Sequence, residues 1–171
     1  MTDDVPEPRH TLADPKELLL DHLDRYRAVV ARKVAGLPPE ELRRSRLPSG
    51  WAPLELLKHL VYMEERWLRW GFAAEPVPDP WGDRGPDGRW RVRPEETLDA
   101  LLAAMDLAGA RTREIAGRAA LGDRAAVGGR FGTAADCPTL GWILFHVLQE
   151  YARHAGHLDI ARELADGTIG E

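Results

Sequence analysis

The sequence predicts an all-α protein: a four-helix bundle with a long Pro-, Gly- and Trp-containing loop between its second and third helices. Three observations carry this. Four long segments repeat their apolar residues at the helical period. Residues that start or stop helices bound those segments. No segment sustains the strict apolar–polar alternation of a half-buried strand.

The first helix opens at Asp14-Pro15-Lys16-Glu17. Asp14 can cap, Pro15 suits the first helical position, and Glu17 stands where a capping-box acid stands. Leu18, Leu19, Leu23, Tyr26, Val29, Val30 and Val34 follow with helical spacing, and Gly36 ends the run. Leu37-Pro38-Pro39-Glu40-Glu41-Leu42 breaks the chain and starts a short turn of helix. Pro48-Ser49-Gly50-Trp51-Ala52-Pro53 is a tight loop into the second helix, which is expected to run to about Phe72. Its apolar stripe includes Leu54, Leu57, Leu60, Val61 and Leu68.

Residues 73–93 read as a long loop, rich in Pro, Gly and Asp, with Trp81 and Trp90. Loops of this length in a compact domain are functional or disordered, and large aromatic side chains gain from burial. The expectation is a lid or rim over one end of the domain. The blander alternative is a structural crossover pinned by its tryptophans. Pro94 opens the third helix, expected through about Ala119, with Leu98, Leu101, Leu102, Met105, Ala108 and Ile115 buried and Glu95, Glu96, Asp99 and Asp106 on a solvated acidic face. Gly128-Gly129 and Cys137-Pro138 punctuate the next connection. The fourth helix then spans Thr139, a plausible N-cap, to Gly167, a plausible stop.

Residues 1–13 are polar and Pro-containing and read as a flexible N-terminal tail, leaving 14–171 as a single bundle domain. The chain has 171 residues, 44% hydrophobic and 30% charged, with net charge −5 and pI about 5.7. That balance suits a globular protein and excludes a phosphate-backbone partner. No apolar run approaches a membrane span, and the N-terminus lacks the apolar core of a signal peptide. A lone cysteine, Cys137, forbids an intramolecular disulfide. The expectation is a cytoplasmic protein with a small-molecule substrate and no nucleic-acid or membrane partner, able to form a homodimer through its bundle faces.

The chemistry concentrates in the fourth helix. His146, Glu150, His154 and His157 are spaced by four, four and three. At about 100° per residue they fall within roughly 80° of one another, on one face. Glu150 and His154 stand one turn apart, a metal-ligand spacing. His59 lies among leucines in the second helix, where an imidazole is costly to bury unless its nitrogens are paired or bound to metal. The sharp hypothesis is a divalent metal held by His59, Glu150 and His154. Such a His2Glu set leaves a coordination position open, as catalytic zinc sites do; nickel or iron would also suit it. The bland readings are a core His59 bonded to a carbonyl and a Glu150 on a solvated face beside Arg153. Cys137 precedes the fourth helix, where a thiol pKa can fall, but it has no partner close in sequence and reads as packing.

Several segments together resemble the DinB-like superfamily of four-helix metalloproteins, in the branch related to mycothiol-dependent maleylpyruvate isomerase. They are Pro48-Ser49-Gly50-Trp51, Leu56-Leu57-Lys58-His59-Leu60 running to Glu64-Glu65-Arg66-Trp67, and the stretch from His146 to Asp159. The likeness covers roughly residues 16–166. It maps the family's first ligand onto His59 and its paired ligands onto Glu150 and His154. Many members carry His at the position of Glu150; the isomerase branch carries Glu. The resemblance implies a metal-dependent enzyme using a low-molecular-weight thiol such as mycothiol or bacillithiol, for S-transfer or addition–elimination isomerisation. His157 would then be the catalytic candidate, assisting proton transfer or orienting a ligand, and His146 a supporting residue. The alternatives are a non-catalytic metal- or small-ligand-binding bundle in a stress or detoxification role, and a purely structural bundle.

Overall fold

Asp14 starts the first helix through its side chain, which accepts the backbone N–H groups of Lys16 and Glu17 at 2.8 and 3.1 Å. In the computed structural model, which describes residues 5–170, this helix α1 spans Pro15–Ala35. Helix α2 spans Pro53–Trp67, and the Glu55 carboxylate accepts the Ala52 N–H at 2.9 Å at its start. The sequence predicts α2 through to about Phe72. The structure instead widens the ladder into a π-helical turn over Leu68–Phe72, which the Ala73 N–H closes on the Leu68 carbonyl.

Helix α3 spans Leu98–Gly117, four residues later at its start than Pro94 suggested. Thr97 supplies the cap, accepting the Ala100 N–H at 3.2 Å. Glu96 is drawn away from the expected acidic helix face: its carboxylate accepts from the Arg93 N–H at 2.6 Å and from the buried Lys58 ammonium at 2.9 Å. Helix α4 spans Leu140–Asp166, with Thr139 accepting the Trp142 N–H. Gly167 closes it at φ +76°, a left-handed conformation that glycine adopts without strain. The stretch after Gly36 makes successive turns, Glu41 onto Pro38 and Arg44 onto Glu41, rather than a turn of helix.

The four helices share one apolar core, with α1 packed chiefly on α4 and α2 chiefly on α3. Leu23 and Val30 of α1, Leu56, Leu57 and Leu60 of α2, Met105 of α3, and Ile143, Leu144 and Leu158 of α4 are essentially inaccessible. Each such side chain contributes roughly 1.5–3 kcal/mol by burial. Among the described residues there is no strand, only isolated bridges pairing Arg84 with Trp90 and Arg124 with Thr139. No helix among them is long and apolar enough to cross a membrane.

At the centre lies a carboxylate that touches all four helices. Glu64 of α2 is fully buried. It receives the Arg27 guanidinium from α1, the Thr112 hydroxyl from α3 and the Tyr151 hydroxyl from α4. A buried charge persists only when paired and hydrogen-bonded, and here every donor comes from a different helix. Gly109 makes room for this: a Cβ there would lie 2.9 Å from the Arg27 Nε.

The segment between the π turn and α3 is pinned at several points. Arg91 donates its N–H to the Asp83 carbonyl at 2.8 Å, and Lys58 reaches up from α2 to the Arg91 carbonyl at 3.1 Å. The guanidinium groups of Arg66 and Arg84 sit over the Trp81 ring at 4.4 and 4.5 Å. Within the expected N-terminal tail, residues 1–4 lie outside the described residues. Val5 is partly buried against the core, and Glu7 pairs with Arg25 at 3.5 Å.

Candidate metal centre

His59 projects from the middle of α2, one turn before Met63 and Glu64, at the edge of the core. Its Nδ1 lies 2.9 Å from the Asp83 carboxylate. Asp83 is itself inaccessible and is gripped by the Arg66 guanidinium at 2.6 and 3.2 Å. Burial pushes the Asp83 carboxyl up, but hydrogen bonds from His59 and Arg66 and the Arg66 charge outweigh it and hold it below the usual range. An ionised Asp83 favours the His59 proton on Nδ1, which leaves the Nε2 lone pair free.

Helix α4 supplies the opposing side. His154 Nε2 is 3.2 Å from Glu150 Oε2, and His154 Nδ1 is 3.2 Å from His157 Nδ1. The donor atoms of His59, Glu150 and His154 all lie within 4.8 Å of one another, although His59 is remote from the other two in sequence. Burial, followed by the neighbouring His59, pushes the His154 imidazole down to about 4, with Glu150 opposing. His154 is therefore neutral at physiological pH, the form in which imidazole ligates metals.

The donor chemistry fits a divalent cation. Two imidazoles and one carboxylate converge, the imidazoles each have an outer hydrogen-bond partner, and Glu150 is half-buried rather than sealed. His146 stands beside this group and does not complete it. Its ring stacks on Trp142 at 5.2 Å and 5° and meets Trp67 at 4.5 Å, while its Nε2 lies 3.9 Å from Glu150 Oε1. Burial lowers its pKa, with Glu150 opposing and Arg130 adding to the drop. Cys137 is buried and donates to the Thr133 carbonyl at 3.3 Å, which accords with packing.

Four residues of the site were not singled out from sequence as its parts: Asp83, Arg66, Trp90 and Trp51. The Trp90 ring stacks on His59 at 4.2 Å and 19° and meets His154 edge-on at 5.3 Å. Trp51 lies 6.1 Å from His157 and 6.4 Å from Trp90. The one sequence signal was the cost of burying His59, which demanded a partner without naming it. A cavity of about 600 Å³ opens between the Ser49–Trp51 loop and residues 86–91, with Trp51 and Trp90 in its wall. Trp90 thus links His59 to a space large enough for a small molecule, a space that none of the three candidate ligands lines.

A model of the mycothiol-S-transferase family matches residues 18–167. No curated protein matches the chain.

Proposed function

The chain belongs to the mycothiol-S-transferase family, and on that premise we propose that it is a divalent-metal-dependent S-transferase acting on a low-molecular-weight thiol and an electrophilic small molecule. The observation that carries this reading is the convergence of His59, Glu150 and His154 donor atoms within 4.8 Å. Of the two thiol reactions expected from sequence, the family favours transfer over isomerisation.

His59, Glu150 and His154 would hold the metal, zinc first, with nickel or iron suited to the same donors. The ion supplies Lewis acidity that favours thiolate over thiol at neutral pH. The protein's own groups do the remaining work. Asp83 and Arg66 keep His59 in one tautomer and one orientation. His157, through its contact with His154 Nδ1, holds that ring in the tautomer that leaves Nε2 unprotonated. So engaged, His157 would orient the bound thiol rather than take its proton. Trp90 covers His59 and excludes water from that side of the centre. In the transfer, a sulfur–carbon bond forms as the bond from that carbon to its leaving group breaks, and the leaving group departs with the electron pair.

The test begins with untagged protein and its metal content. One equivalent of divalent metal is expected, lost in His59→Ala and His154→Ala. Metal-loaded protein is then incubated with mycothiol, bacillithiol or cysteine and monochlorobimane. A metal-dependent conjugation rate supports the reading. Bound metal without turnover for any thiol would leave a non-catalytic binding bundle, and no bound metal would overturn the centre.

A further inference from the structure

A smaller pocket of about 290 Å³ lies between Lys58 of α2 and the segment that precedes α3. Lys58, Asp79, Gly82, Arg84, Arg91 and Arg93 line it. None of the candidate metal ligands lines it, and neither does Trp51 or Trp90.

The charge of this pocket is one-sided. The buried Lys58 ammonium is already neutralised by Glu96, whose carboxylate oxygens lie 2.8 and 2.9 Å away. That leaves the guanidinium groups of Arg84, Arg91 and Arg93 against the single carboxylate of Asp79. Among the described residues none of these three arginines forms an ion pair, and the Arg84 guanidinium rests on the Trp81 ring at 4.5 Å. Elsewhere the arginines are matched: Arg27, Arg46, Arg66, Arg69, Arg111 and Arg113 each meet a carboxylate. The chain as a whole carries net charge −5, so the pocket is a local exception and not part of a basic surface. Like charges gathered in one place repel, and a bound anion relieves that repulsion.

Backbone bonds set where the three arginines stand. Arg84 and Trp90 form an antiparallel bridge, Gly85 donates to the Arg89 carbonyl at 2.8 Å, and Arg91 donates to the Asp83 carbonyl at 2.8 Å. Arg84 and Arg91 therefore come from the two arms of one short hairpin. The Arg93 N–H is held by Glu96 at 2.6 Å, and the Arg93 carbonyl accepts from Arg43 at 3.2 Å. Glycines keep the wall thin. A Cβ on Gly82 would lie 2.8 Å from the Asp79 carboxylate and from the Tyr62 hydroxyl, and one on Gly85 would lie 3.4 Å from Arg91 Cδ.

Guanidinium forks match phosphate oxygens in geometry and charge, and a phosphate monoester carries close to two negative charges at pH 7. Three guanidinium groups offset by one carboxylate complement that charge. The volume stands at the lower limit of small-molecule sites, roughly 300–1,000 Å³, which suits a phosphate with a short organic remainder and not a nucleotide. We propose that Arg84, Arg91 and Arg93 form a binding site for a phosphate dianion, free or carried as a small phosphate monoester. The site uses none of the residues assigned to thiol transfer and stands independently of that reading.

Inorganic phosphate and glycerol 3-phosphate, with succinate as a dicarboxylate control, are titrated into the wild-type protein by calorimetry at an ionic strength held constant with sodium chloride. Saturable binding of at least one phosphate is expected, weakened about tenfold in Arg91→Gln and in Arg93→Gln. Arg89→Gln removes an arginine of the same hairpin that lies outside the pocket, and it is expected to keep wild-type affinity. Circular dichroism of each ligand-free variant checks that it is folded. The thermal midpoint of the wild type is expected to rise with phosphate and not with sodium chloride of equal ionic strength. Tighter binding of the ester identifies a monoester as the ligand; equal or tighter binding of the free ion identifies inorganic phosphate. No saturation by either up to about 10 mM overturns the site. So does binding that neither pocket variant weakens, an equal loss in Arg89→Gln, or equal affinity for succinate.

Discussion

The hydroxyl of Tyr151 on α4 donates to the Glu64 carboxylate on α2 at 2.8 Å, one residue along α4 from the candidate ligand Glu150. Burial, with the Glu64 charge adding to it, raises the Tyr151 phenol well above its ordinary pKa, so it stays protonated and remains a donor. Removing the carboxylate would leave Arg27 buried without its main counter-charge. Glu64→Ala is expected to cost about 3–5 kcal/mol, against about 1 kcal/mol for Tyr151→Phe, which removes one donor of several. Urea unfolding of the metal-free proteins measures both. Equal losses would show that the hydroxyl, rather than the Arg27 charge, dominates the network.

Asp83→Asn removes the charge that fixes the His59 tautomer while keeping the side chain's size. Metal affinity, measured by competition with a chromophoric chelator, is expected to fall about 10- to 100-fold. The thermal midpoint of the metal-free variant reports separately on the lost Arg66 pairing. Unchanged affinity would remove Asp83 from any role in orienting His59.

The pKa of His154, pushed down to about 4, makes metal-free stability depend on pH. Between about 4 and the ordinary histidine value of about 6.5, the unfolded chain binds this proton and the folded one does not. Stability therefore falls as pH drops through that window, by on the order of 3 kcal/mol from this residue. Denaturant midpoints from pH 7.5 to 4.5 should show the decline, and His154→Gln should flatten it. An unaltered slope in the variant would assign the decline to other groups.

At Gly109 two effects oppose. In a helix interior Ala is favoured over Gly by about 1 kcal/mol. The new Cβ, however, would stand 2.9 to 3.1 Å from three atoms of the Arg27 guanidinium arm, which Glu64 holds in place. Overpacking of this kind costs about 1–3 kcal/mol, so Gly109→Ala is expected to destabilise. A rise in the thermal midpoint would mean that Arg27 moves aside without loss.

The helices were legible because their signals are local. Asp14, Thr139 and Gly167 act within one turn of their own positions, and the apolar period named most of the core. The convergence of His59 with Glu150 and His154 was legible as a juxtaposition of polar groups on apolar faces. What escaped was set by tertiary contact. Glu64 reads as part of a charged stretch, Glu64-Glu65-Arg66, yet it and Arg66 are buried while Glu65 is not. Asp83 is one of several acids in a loop, and only the folded chain brings it to His59. Glu96 was misplaced on a solvated face because Lys58, hidden within α2, draws it inward.

One segment carries both Asp83, which holds His59, and Trp90, which covers it and walls the cavity. The two therefore travel together under recombination. Exchanging residues 79–93 with those of a relative would transplant the support of His59 and the wall of the cavity as one unit, while the helices stayed as they are. The cavity's chemistry is then open to change by swapping a single stretch of chain, provided that the stretch brings its own aspartate.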